Sequence, residues 1–283
     1  MTEMIIISVS AGLFLTAVMV RLLFLPKWTK EPVCVAISQS MGRREIQADY
    51  AEALSNCAGT IAVLADGTGS ENTGKVCAHL AADSVLDCFE PYQILNNPIY
   101  FFKSTFAQAH RRIRQTIGER RGGAGMAAVF VNRTHLYYAS AGDLRIALMR
   151  GKELIPLNEG QTVDVLAAEA YHMGNISRQE AIWSMDEKRI WNYLGKDGFR
   201  EIERCDRPIR LKDQDTVLMV SRGIFETVSW GEMEDILLER ISVQSQADAI
   251  VQKAESKQHQ EMDNGSVLLL KVRVETTDEK DKF

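Results

Sequence analysis

Ile61-Ala-Val-Leu-Ala-Asp66-Gly67 is an unbroken apolar run that stops on a carboxylate and a glycine. Residues 60–65 are apolar or β-branched and bounded by turn formers, the pattern of a strand buried on both faces. An aspartate where such a strand ends is aimed at the rim of the fold, where it can meet a hard cation such as Mg²⁺ or Mn²⁺. Asp-Gly also marks ordinary turns, so the dipeptide alone leaves both readings open.

Similar runs predict strands at 33–38, 125–132, 135–141, 144–150, 216–221 and 266–274, with Asn132-Arg133 as a hairpin turn between two of them. Phe102, Phe106, Ala109, Ile113 and Ile117 recur at helical spacing and predict a helix over 97–118. Val76, Leu80, Leu86 and nearby alanines predict another over 71–88, and shorter helices are expected at 162–173, 177–184, 231–241 and 245–260. Helices segregated from a strand meander argue for an α+β layered domain over a doubly wound parallel sheet.

The chain has 283 residues, 46% hydrophobic and 25% charged, with a net charge of −5, so it is a folded protein without the basic surface that nucleic acid selects. Its five cysteines lack a CxxC pair and read as reduced, mostly buried thiols.

Residues 4–20 (MIIISVSAGLFLTAVMV) carry no charge, and the apolar run resumes after Arg21. Together they give about 22 residues, enough at ~1.5 Å each to cross a hydrocarbon core. Glu3 stands where a cleaved signal peptide needs basic residues. Arg21, Lys27, Lys30, Arg43 and Arg44 follow the segment and predict a cytoplasmic domain behind a single-pass membrane anchor. The expected organisation is a short extracytoplasmic start (1–3), a transmembrane helix (4–25), a juxtamembrane linker (26–32), one folded domain (33–274) and a charged tail (275–283).

Further carboxylates sit beside turn residues: Asp49, Asp143 after Gly142, and Asp263 before Asn264. Their order carries a resemblance. Arg44-Glu-Ile-Gln-Ala-Asp49, Val63-Leu-Ala-Asp66-Gly67, Gly123-Ala-Gly-Met, Ser140-Ala-Gly-Asp143-Leu-Arg145, Ser221-Arg222-Gly223 and Asp263-Asn264-Gly-Ser-Val267 follow one another. Together they resemble, in sequence order, the motifs of the type 2C (PPM-type) metal-dependent protein serine/threonine phosphatases. The resemblance implies a four-layer α/β/β/α sandwich with two Mn²⁺ or Mg²⁺ ions at one edge, whose bridging water attacks phosphoserine or phosphothreonine. It further implies that Asp66 bridges both metals, that the Gly67 carbonyl and Asp263 each join one, and that Asp49 lies in their shell. Asp143 is expected near an accessory metal, and Arg44 on the substrate phosphate.

The chain departs from the family pattern where it matters. Arg222 stands where the family has a metal-ligand aspartate, and Ala48 where an acidic or polar residue is common. A guanidinium roughly 4 Å from a dication costs on the order of 8 kcal/mol at an effective dielectric of about 20. A millimolar to micromolar metal site has only about 4–8 kcal/mol to give. If Arg222 points inward it takes the cation's place beside Asp66 and Asp263; if outward, the site loses a ligand, unless Glu226 or Asp215 replaces it. The expectation is therefore a membrane-anchored pseudophosphatase or low-activity regulator in phospho-signalling that engages a phosphoprotein or kinase partner. The alternative is an active Mn²⁺/Mg²⁺-dependent phosphatase with a rearranged metal site.

Overall fold

The computed structural model describes residues 33–70, 72–132, 134–185, 189–257 and 262–273. The expected membrane anchor, linker and charged tail lie outside them. No described helix is long and apolar enough to cross a membrane.

The described residues form two antiparallel sheets. In the first, β1 (Val33–Ser40) pairs with β11 (Gly265–Val272), then come β10 (Thr216–Val220), β6 (Arg145–Arg150) and β7 (Glu153–Pro156). The second runs β2 (Asp49–Asn56), β3 (Gly59–Gly69), β4 (Gly122–Val131), β5 (His135–Ala141) and β8 (Glu203–Arg204), with β9 (Ile209–Arg210) also on β5. Around them lie α1 (Thr73–Leu86), α2 (Pro91–Asn96), α3 (Pro98–Ile117), α4 (Val163–His172), α5 (Arg178–Ser184), α6 (Arg222–Phe225), α7 (Trp230–Leu238) and α8 (Val243–Ser256).

Strand alternation sorts the apolar residues into three clusters. In β3, Ile61, Val63 and Ala65 face a cluster with α1 and α3, while Ala62 and Leu64 face one to which both sheets contribute. In β10 and β11, Leu218, Val220, Val267 and Leu269 join a third cluster with α7 and α8, and Val217, Met219, Leu268 and Leu270 face the shared one. Both sides of these strands are apolar because both are covered, which is why they read as unbroken runs.

The α3 stripe of Phe102, Phe106, Ala109, Ile113 and Ile117 is buried as expected, behind an Asn97 cap that accepts a hydrogen bond from the Tyr100 N–H. In α1, Leu86 and the neighbouring alanines are buried as expected and Leu80 is half-buried against the same cluster, but one position differs. Val76 is exposed, and the buried face is Cys77, Ala78, Ala81, Ala82, Val85 and Leu86. The strand β2 was not expected; it exists by pairing along β3, Asp49 opposite Asp66 through to Asn56 opposite Gly59. The described cysteines are all free thiols, with Cys77 and Cys205 buried, Cys34 and Cys88 half-buried and Cys57 exposed.

Candidate functional site

Four strand ends meet at one rim. The register of β2 on β3 sets Asp49 against Asp66. The β10–β11 register pairs Val220 with Val267, so Ser221-Arg222 at the end of one strand lies beside Asp263-Asn264 at the start of the other. Backbone packing holds this arrangement closed. A Cβ on Gly223 would collide with the Asn264 carbonyl oxygen, and one on Gly67 with the Gly74 carbonyl oxygen at the start of α1. Only glycine allows these approaches. Asn264 staples the loop before β2, accepting from the Ala48 N–H at 2.9 Å and donating to the Met41 carbonyl at 2.9 Å. Ala48 thus contributes backbone only, its carbonyl accepting from the Gly67 N–H.

The charged side chains are arranged around Asp263. Its Oδ2 accepts from Arg222 Nη2 at 2.8 Å, and its Oδ1 from Arg44 Nε at 2.9 Å and from the Asn264 N–H at 2.9 Å. Burial pushes the Asp263 carboxyl up, but the hydrogen bonds from Arg222 and Arg44 outweigh it and hold the group below its usual range. Arg222 therefore points inward, onto the carboxylate it was expected to displace a cation from.

Asp49 is buried beneath. Its Oδ2 accepts from the Ser221 and Ser266 hydroxyls, both at 2.7 Å, which ties the second sheet to the first. Its Oδ1 is buried with no hydrogen-bond partner. Burial raises the Asp49 carboxyl to about 6 against the two serine hydrogen bonds. Half-buried Asp66 is pushed well above the usual carboxylate range, by desolvation first and then by Asp49, while the Arg222 charge opposes the rise.

Asp143 lies in the turn between β5 and β6, only 4% exposed, and its Oδ1 accepts from Arg145 Nη1 at 2.6 Å. The Arg145 guanidinium also covers the Phe225 ring at 4.4 Å, linking this turn to α6. Asp143 is thus near enough for its charge to act on Asp66, but it is held by an arginine.

The expected site residues Asp49, Asp66, Gly67, Asp263, Arg44, Ala48 and Arg222 therefore converge. The donor set does not fit the metal pair that the resemblance implies. Both Asp263 oxygens accept from arginines, Arg145 holds Asp143, and among the described residues no group of three or more His, Cys, Asp or Glu side chains is arranged to hold a metal ion. Asp215 replaces nothing here. It sits at the opposite end of β10 with both oxygens on Arg150. Glu226 is exposed, at the C-terminal cap of α6, where its charge acts on Arg222.

Ser221, Ser266 and Arg145 were not singled out beforehand, although all three stand inside the motifs quoted for the resemblance. Also missed was a cleft of about 550 Å³ beside Arg222, lined by Thr68, Arg189, Trp191, Tyr193 and Lys196 among others. Its signal was the interleaving of basic and aromatic residues in Arg189-Ile-Trp-Asn-Tyr-Leu-Gly-Lys196.

No family model matches the chain. A serine/threonine phosphatase of Listeria welshimeri is 26% identical over 217 residues, covering 74% of this chain and 83% of the relative. The serine/threonine phosphatase of S. agalactiae superposes with a TM-score of 0.74 at 20% identity, covering 85% of this chain and 100% of that one. The catalytic domain of the phosphatase PstP, solved with two manganese ions, gives a TM-score of 0.63 at 19% identity, over 85% of this chain and 98% of that one. The fold is that of the PPM-type phosphatases, and the relatives support the PPM-type serine/threonine phosphatase family for this domain.

Proposed function

We propose that this chain is a PPM-type phosphatase domain that engages phosphoserine or phosphothreonine proteins with weak or absent turnover. The observation that carries the reading is the Arg222 guanidinium on Asp263 at 2.8 Å, a fixed positive charge on a carboxylate that the family uses for a metal. Arg44 on the other Asp263 oxygen strengthens it. The three apolar clusters support a four-layer α/β/β/α order. Residues 4–25 would tether the domain to a membrane, on its cytoplasmic side, within reach of a phosphoprotein or kinase partner.

The test is hydrolysis of a phosphopeptide by the full chain with Mn²⁺ or Mg²⁺ supplied, beside calorimetric titration of Mn²⁺ into wild type and Arg222→Asp. The reading expects little turnover in wild type and, in the variant, at least ~100-fold tighter Mn²⁺ binding, a conservative share of the repulsion removed. Unchanged Mn²⁺ affinity would show that Arg222 is not what limits the site.

The unpartnered, buried Asp49 Oδ1 favours a second reading. Together with Asp66 it gives an oxygen pair suited to a single Mn²⁺ or Mg²⁺ ion, and the chain would then be an active phosphatase with a rearranged centre. Metal-dependent hydrolysis in wild type, abolished by Asp66→Asn, decides for it.

A further inference from the structure

The cleft beside Arg222 differs in charge from the one next to it. Arg189, Lys196 and Arg222 line it, together with Trp191 and Tyr193, and among the described residues no carboxylate does. On the other side of Trp191, a second cleft of about 420 Å³ is lined by Glu159, Glu169, Glu201 and Glu203 and, among the described residues, by no Lys or Arg. A single stretch of chain thus divides a basic pocket from an acidic one.

The basic cleft is built on fixed parts. Leu194 exchanges both backbone hydrogen bonds with Ala124 of β4, at 2.9 and 3.0 Å, and the Trp191 N–H donates to the Gln161 carbonyl at 3.0 Å. The Lys196 ammonium donates to the Trp191 carbonyl and lies 5.9 Å from the Tyr193 ring centre. Arg222 is held in orientation by Asp263 while its side chain stays 33% exposed.

Fixed guanidinium and ammonium donors suit a phosphomonoester, which offers a compact dianion and several acceptor oxygens. The aromatic rings suit the chain on either side of it. The volume, within the usual range for ligand pockets, exceeds what a lone phosphate needs. We infer that this cleft binds the phosphate of a phosphoserine or phosphothreonine peptide without a metal ion, Arg222 and Lys196 supplying the charge and Trp191 and Tyr193 the flanking contact. This rests on the reading that the domain engages phosphoproteins, and it adds the place and the metal-independence.

The test is calorimetry on the full-length chain in mild detergent, with excess EDTA. The probes are a phosphoserine hexapeptide, its unphosphorylated twin and inorganic phosphate. The phosphopeptide should bind, the twin should not, and inorganic phosphate should bind at least ~10-fold more weakly for lack of the flanking contacts. Arg222→Gln and Lys196→Gln should each weaken the phosphopeptide about tenfold, the usual scale of a lost charge-assisted hydrogen bond. Glu169→Gln in the acidic cleft should leave it unchanged. Should Arg222→Gln not fold, Lys196→Gln carries the test alone. Binding that appears only with Mn²⁺, an equally bound twin, or affinity indifferent to both cation substitutions overturns the inference. Rapid Mn²⁺-dependent turnover would instead sink the reading of weak catalysis, and leave the chelator-resistant binding to be judged by its own loss on Lys196→Gln.

Discussion

At the amino end of β10, Asp215 is 2% exposed and accepts from Arg150 through both Nε and Nη2, the latter at 2.6 Å, and from the Lys212 N–H at 2.8 Å. Arg150 uses Nη2 again for the Arg210 carbonyl. Charges match one to one, and the pair joins β6, β9 and β10. At the carboxyl end of the same strand, Arg222 meets Asp263, but Arg44 occupies the other oxygen and Asp49 and Asp66 lie below with raised pKa values. There the charges do not match in number, and an acceptor oxygen on Asp49 goes unused. An arginine on an aspartate is a structural joint when every donor and acceptor is accounted for. Where groups are left over, the fold is holding charge at a cost that stability alone does not explain.

Three variants rank this contrast. Asp215→Ala strands a partly buried guanidinium and the Lys212 N–H, and should destabilise the protein by about 3–5 kcal/mol in denaturant unfolding. A loss under 1 kcal/mol would erase the distinction between the two ends. Asp49→Asn acts with the opposite sign. The Asp49 carboxyl is raised from 3.8 to about 6 on folding, so the unfolded chain releases this proton at lower pH than the native one. Its ionisation therefore costs nothing below about pH 4, grows through pH 4–6 and is full above, on the order of 2–3 kcal/mol. Metal-free wild type should lose stability across that window, and Asp49→Asn should flatten the slope while Asn Oδ1 still serves both serines. An unchanged slope would mean the buried carboxylate is neutralised some other way. Third, Arg222→Met should cost about 1 kcal/mol or less, because the pair is partly exposed and Arg44 still serves Asp263. That is several times less than the same operation on Asp215.

The sequence made some of this legible and hid the rest for physical reasons. Strands β3, β4, β10 and β11 are covered on both faces, so each had to be apolar throughout and showed itself. By contrast β2, Asp-Tyr-Ala-Glu-Ala-Leu-Ser-Asn, contains alanine and glutamate that favour helix. It is a strand because β3 supplies its partner, which no local window contains. Asp49 and Asp66 could be nominated singly, but their facing register depends on that unseen strand. Asp215 misled for a related reason. It is seven residues from Arg222, yet a strand separates them by on the order of 20 Å, so nearness in sequence meant distance in space. Lys196 and Trp191 belong to an irregular stretch with no periodicity to read, and only the fold brings them beside Arg222.

The smallest effect isolates Arg44. Its side chain is 58% exposed and its bond to Asp263 is a single Nε contact. Exposed pairs of this kind contribute roughly 0–1 kcal/mol, so Arg44→Gln should leave unfolding stability within about 0.5 kcal/mol of wild type at moderate salt. Its consequence belongs to the rim. With Arg44 gone, the rim keeps Arg222 but loses one of its two positive charges. Arg44→Gln should therefore weaken chelator-resistant phosphopeptide binding by a few-fold at low salt, a difference that fades as salt rises past a Debye length of about 8 Å. A variant that binds as tightly as wild type at every ionic strength would show that the Arg44 charge is not what the cleft uses. The stranded groups there would then need another explanation than anion binding.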